Sequence, residues 1–196
     1  MNGQELAYGE RVAIARLHAL LELLPTALDK ELATTGLTSF EFTLLEALHE
    51  SDGQRLRLSE LASRTNATLA RLSRVVTGLE RKGFVQRTPC PEDGRATNAV
   101  LTGEGRLVYE ESRPLYAAAV RAMILDALNP GDVDQLARLS LTILTRLDPN
   151  GRLAVTRAPA WADQEAPLVA GLTSTECAAD PAREYTAREC AADPQQ

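Results

Sequence analysis

The stretch that most restricts what this chain can fold into covers residues 58–102, LSELASRTNATLARLSRVVTGLERKGFVQRTPCPEDGRATNAVLT. Ser59, just ahead of Leu61 and Ala62, can accept an unpaired backbone N–H and start a short helix that ends near Arg64. The polar run 65–68 is turn chemistry. Thr68 can then cap a second helix whose apolar residues, Leu69, Leu72, Val75, Val76 and Leu79, recur at helical steps. Gly83 supplies the left-handed residue that closes this helix, with Arg81 and Lys82 set against the negative end of its dipole. Residues 84–88 and 97–101 favour extended chain on either side of Pro89, Pro91, Asp93 and Gly94, so the pair reads as a hairpin with a charged tip.

Helix, turn, helix and hairpin in that order outline a winged helix-turn-helix, so the expected fold is mainly α (α+β). Between its apolar residues the second helix carries Ala70, Arg71, Ser73 and Arg74, a small, polar and cationic face. Such a face suits the major groove of DNA, where Arg bonds guanine edges bidentately and small side chains let the backbone approach. Arg71, Ser73 and Arg74 are the candidate groove readers, framed by Thr68 and Ala70. Arg95, at the hairpin tip, can enter the narrow A·T minor groove, where the potential is most negative. The net charge of −6 would oppose nucleic acid if it were evenly spread. It is not: residues 55–95 hold nine basic side chains against four acidic ones, and phosphate contacts need only that local field.

At these residues the chain resembles the MarR family of winged-helix transcriptional regulators. The resemblance is carried by LSRVVTGLERKGFVQR, by the wing Asp-x-Arg of Asp93, Gly94 and Arg95, and by Leu-Thr-x-x-Gly at 101–105, in that order and spacing. It spans roughly residues 4–147. It implies a homodimer whose first and last two helices interleave, and double-stranded DNA with a palindromic operator as partner. It further implies a repressor, most often released by a small aromatic or phenolic effector held between the dimer helices and the winged domain. Gly94 stands where members of the family often carry another Arg, so this wing is expected to grip less strongly. Asp93 is expected to orient the wing by pairing with Arg87 or Arg95, because a carboxylate at the tip would otherwise repel phosphate. The alternative from another class is a winged-helix dimer acting through protein contacts, an anti-repressor without DNA binding. Arg71, Arg74 and Arg95, kept together, weigh against it.

The flanks divide the chain into an N-terminal dimerisation helix (1–35), the winged domain (36–102), C-terminal dimerisation helices (103–147) and an acidic tail (148–196). Residues 4–35 show a helical stripe at Ile14, Leu17, Leu21, Leu24, Leu28 and Leu32, widened by Leu20 and Leu23, with Pro25 expected to kink or split the helix. Gly36 stops it. Thr38 and Glu41 form a capping box for a second helix over 39–50 that turns Phe40, Leu44, Leu45 and Leu48 inward, and Leu56 with Leu58 can form a short strand against the hairpin. Thr102 caps a helix running to about Leu128, and Asn129–Pro130 opens the last one. The apolar faces of these outer helices exceed what a small winged domain can cover, and a symmetric dimer covers them.

From residue 148 onward prolines, alanines and small polar residues, without helical periodicity, read as a disordered extension. It repeats ECAADP at 176–181 and 189–194. It could be a plain extension, a partner-binding segment, a redox pair of Cys177 and Cys190, or an acidic mimic of DNA. Cys90, beside Arg87 and near Arg95, is a candidate redox site exposed at the wing, set against an ordinary loop cysteine. His18 and His49 are the only histidines and sit alone, so neither a metal site nor a His-based nucleophile is spelled out, and no enzyme or cofactor is expected. With no targeting segment, no membrane span and an odd cysteine count, a cytoplasmic protein is expected.

Overall fold

The computed structural model describes residues 5–90 and 93–156, with the backbone alone at 94 and 95. Helix α1 (Tyr8–Leu32) runs as one helix through Pro25, so the expected split does not occur. A proline deletes a single N–H donor, and the turn beyond it is anchored by buried Leu28 and Leu32. Helix α2 (Ser39–His49) begins at the capping box: Glu41 N–H donates to Thr38 Oγ1 (3.2 Å) and Thr38 N–H to Glu41 Oε2 (2.9 Å). Phe42, with Leu44, Leu45 and Leu48, fills the core, whereas Phe40, expected inside, is only half-buried. Two residues apart on a helix, the two rings point about 200° apart, so one face cannot bury both.

Strand β1 (Arg55–Arg57) leads straight into α3 (Leu58–Arg64), with Arg57 at the N-cap. Ser59 therefore lies inside the first turn and does not cap it, because the strand leaves no residue between its end and the helix. Helix α4 (Leu69–Arg81) starts from Thr68, whose hydroxyl accepts the Arg71 N–H at 3.3 Å. Strands β2 (Val85–Cys90) and β3 (Asp93–Leu101) form the hairpin, and β1 adds to the far edge of β3, giving the antiparallel order β1-β3-β2. Leu56 pairs with Ala99 and Val85 with Leu101, so inward side chains of all three strands meet the helices. The hairpin extends beyond the expected 84–88 and 97–101, with Pro89 and Asp93 inside strands and a register shift between Pro89 and Cys90.

Helix α5 (Gly103–Met123) ends five residues before the expected Leu128, and a 3-10 turn, Leu125–Ala127, bridges to α6 (Pro130–Leu147). Asn129 must be extended ahead of Pro130, so the chain leaves the helix first. The Phe42 ring stacks on Tyr116 (4.3 Å between centroids) and Tyr109 (5.4 Å), fastening α2 to α5, and His49 lies against Tyr109 at 4.7 Å. By contrast α6 has no buried residue, and Leu136, Leu139, Leu141, Ile143 and Leu147 stand exposed, as do Leu20, Leu21 and Leu23 of α1. No helix of the described residues is long and apolar enough to cross a membrane.

Residues 148–156, expected to belong to a disordered tail, form a folded arm. The Asp148 carboxylate is buried and accepts from the Leu153 N–H (2.7 Å) and the Thr156 hydroxyl (2.9 Å), which replaces water for every partner involved. Chiefly through the Leu153 N–H, these bonds hold its carboxyl below the usual value of 3.8, so the arm is fully favoured above that value and loosens as pH falls below it. The repeats with Cys177 and Cys190 lie outside the described residues.

One joint connects α4, the wing and α5. Gly83, at φ +78°, gives its N–H to Glu80 O, and Phe84 N–H closes on Leu79 O, ending α4. The Thr102 hydroxyl donates to Gly83 O (2.7 Å) and accepts from Gly105 N–H (3.0 Å), while Thr102 N–H reaches Phe84 O at 3.1 Å. A Cβ on Gly105 would stand 2.0 Å from Phe84 O. Gly105→Ala is therefore expected to destabilise the protein by about 1–3 kcal/mol, the range for overpacking, read as a lower urea midpoint. An unchanged midpoint would mean that the joint yields freely.

Candidate nucleic-acid interface

Helix α4 buries Leu72, Val76 and Leu79 and exposes Ala70, Arg71, Arg74 and Arg81 on the other side. The 3.6-residue period makes this division unavoidable once the apolar stripe is committed to the core. Thr68 is also exposed, at the N-terminal end that leads a recognition helix into a groove.

The candidate side chains do not all behave alike. The Arg71 guanidinium lies over the Phe40 ring, 4.2 Å from its centroid, and so leans toward α2. Arg74 stays on the exposed face, its Nε within 3.4 Å of Ala70 O. Ser73 is half-buried and faces the wing: Arg87 Nη2 donates to its carbonyl (2.8 Å) and its hydroxyl (3.2 Å). It is thus held in the joint between helix and wing rather than presented with Arg74. Arg87 also bonds Thr77 Oγ1 (3.1 Å) and makes a close ion pair with Glu80, whose other oxygen accepts the Arg87 N–H at 3.1 Å.

Of the two partners expected for Asp93, Arg87 is engaged by α4 instead, and Arg95 has its side chain outside the described residues. The Arg87 guanidinium points across to α4, where four acceptors converge on it, while Asp93 sits at the far end of the hairpin. Arg87 still sets the wing, but from its base. Arg95 lies on β3 near the hairpin end, and its side chain falls outside the described residues, as do Pro91 and Glu92. Cys90 is corrected as well. It is buried, with 6% of its surface exposed, because the longer hairpin takes it into β2, so the expected exposed wing thiol is not present.

Two features escaped sequence reasoning. Lys82 Nζ reaches Glu41 Oε1 (2.8 Å) and Gly36 O (2.9 Å), tying the end of α4 to the start of α2. Nothing in spacing links positions 41 residues apart. The second is an open hollow of about 230 Å³ at the meeting of α1, α2, α4 and α5, lined by Leu24, Leu28, Phe40, Arg71 and Tyr116. Burial, and then the Glu46 carboxylate, push the Tyr116 hydroxyl above its usual 10.0. Among the described residues no group of three His, Cys, Asp or Glu side chains could hold a metal ion.

The profile of the MarR family matches residues 37–97, the span from Leu37 through the wing. The transcriptional repressor YetL of Bacillus subtilis is 30% identical over 115 residues, covering 59% of this chain and 68% of its own. The chain belongs to the MarR family. It is a MarR-family transcriptional regulator, as the relatives named as regulators and repressors agree. Among solved structures, Sco3205 of Streptomyces coelicolor, a MarR family regulator in complex with DNA, is 33% identical with a TM-score of 0.72, over 76% of this chain and 97% of its own. AbsC, a MarR family regulator from the same organism, is 33% identical with a TM-score of 0.71, over 75% and 99%. The wing of this MarR protein is carried on the Arg87–Glu80 pair. Glu80→Gln leaves a half-buried guanidinium without its counter-charge and is expected to cost on the order of 1–2 kcal/mol, between a surface pair and a buried one. Amide exchange at Gln86 and Thr88 should quicken. Arg87→Lys should fail in the same way, since one ammonium cannot span the four acceptors.

Proposed function

We propose that this MarR-family regulator is a homodimeric repressor that binds a palindromic DNA operator and is released by a small aromatic ligand. The observation that carries the reading is the exposed cationic face of α4 beside a wing clamped at its base, in a chain 33% identical over nearly the whole of a regulator solved on DNA. Arg74 is the leading groove reader, with Arg71 beside it and Thr68 and Ala70 giving close approach. Arg95 is the minor-groove contact, and Ser73 acts by holding Arg87. The exposed leucines of α1 and α6 favour a dimer, because apolar faces of this extent are rarely left to water.

The hollow beside Arg71 suits the effector. Leu24, Leu28, Phe40 and Tyr116 offer apolar contact to a substituted ring, with one side of the hollow open to solvent. Arg71 belongs to both sites: it lines the hollow through its contact with Phe40 and starts the recognition helix. A ligand anion that draws the guanidinium inward favours the state with less cation at the groove, and a tenfold loss of affinity needs only about 1.4 kcal/mol of such preference. The anti-repressor alternative would find no use for exposed Arg74.

Fluorescence anisotropy on the DNA upstream of the protein's own gene tests this. Wild type should bind it well above random duplex. Arg74→Ala should lose about 1–3 kcal/mol and the sequence preference with it, whereas Arg95→Ala should weaken both duplexes alike. Equal weak binding to every duplex in a genome-wide selection would sink the reading. Leu139→Glu, on the exposed face of α6, should yield monomers by light scattering and remove operator binding. Benzoate and simple phenols are the first probes for release.

A further inference from the structure

The arm 148–156 is the place where α6 meets the winged body. Its 3-10 turn, Ala154–Thr156, packs against both α6 and α3, while α6 itself buries no residue. Two sets of polar bonds hold it. At one end Asp148 clasps the arm on itself through Leu153 N–H, the Thr156 hydroxyl and Arg152 Nε (3.7 Å). At the other, the Ser63 hydroxyl on α3 makes a close hydrogen bond to Arg152 O, joining positions 89 residues apart. Between them lies a cleft of about 420 Å³, open to solvent, bounded by Leu147 at the end of α6, by Leu153 on the arm and by Ala62, Ala67 and Leu69 on the helix-turn-helix side.

We propose that this arm is a latch that couples α6 to the helix-turn-helix and sets the angle of α3 and the start of α4 against α6. Helix α5 is packed on α2 through Tyr109 and Tyr116 and so moves with the winged body, whereas α6, which buries no residue, has one covalent attachment to it, the 3-10 turn Leu125–Ala127. The latch supplies a second. Because it engages through hydrogen bonds across an incompletely filled space, and not through the close-packed core, it can let go without unfolding the domain. Net contributions of hydrogen bonds of this kind are small, which suits a contact made and released during function. Its consequence for DNA rests on the dimer reading above, whereas the coupling itself does not.

Hydrogen exchange with mass spectrometry on the full chain tests it through reciprocity. Ser63→Ala, on α3, should quicken exchange of the Leu153 and Thr156 amides in the arm. Asp148→Ala, in the arm, should quicken the Thr65 and Ala67 amides, which close the turn on Leu61 O and Ala62 O. Each change should be roughly fivefold, the factor for losing one such bond. Core amides of Leu45 and Leu48 should not move, which reports that both variants remain folded. If each substitution affects only its own segment, the arm merely rests on α3 and the proposal falls. If reciprocal exchange is found while no duplex is bound, the latch stands and the operator reading falls instead.

Discussion

The structure depends on the joint at Gly83, Thr102 and Gly105. Three elements must meet there at close range: the end of the recognition helix, the base of the wing and the start of α5. One hydroxyl serves two of them, donating to the carbonyl that ends α4 and accepting from an N–H that begins α5. Close approach is possible because Gly105 has no Cβ to meet Phe84 O, and the turn is possible because Gly83 takes a positive φ. Movement of α5 is therefore passed to the recognition helix with little slack.

Around this joint the remaining charges act as fasteners before they act on any ligand. Arg87 and Glu80 bind wing to helix, and Lys82 and Glu41 bind the end of α4 to the start of α2. Part of the basic excess of residues 55–95 is thereby neutralised inside the protein. The exposed cationic face is narrower than composition implied, and it centres on Arg74. Arg71 is shared between that face and the hollow beside Phe40.

Much of the fold was legible because it is local. Capping at Thr38, Thr68, Thr102 and Asn129 is a matter of a few residues, and the stripe of Leu72, Val76 and Leu79 is a matter of helical period. The readings that failed turned on partners remote in sequence or on details that periodicity does not encode. Phe40 and Phe42 both suit an apolar face, and only packing against Tyr109 and Tyr116 chose Phe42. Cys90 sat among turn formers, yet strand pairing carried it inside. The arm lay in a segment of tail-like composition, but one buried carboxylate organised it.

By itself the sequence determined the order of elements, the faces of the helices, the glycines at tight places and the cationic character of the recognition helix. Each follows from short-range sterics, capping and a fixed period, which any stretch of chain expresses whatever its surroundings. Tertiary structure decided where the charges go: which arginine is spent on the wing, which lysine on α2, which one leans over an aromatic ring, and how residue 152 comes to rest on residue 63. Those outcomes depend on distances across the fold, where Coulomb attraction and hydrogen bonding act between groups that spacing along the chain does not relate.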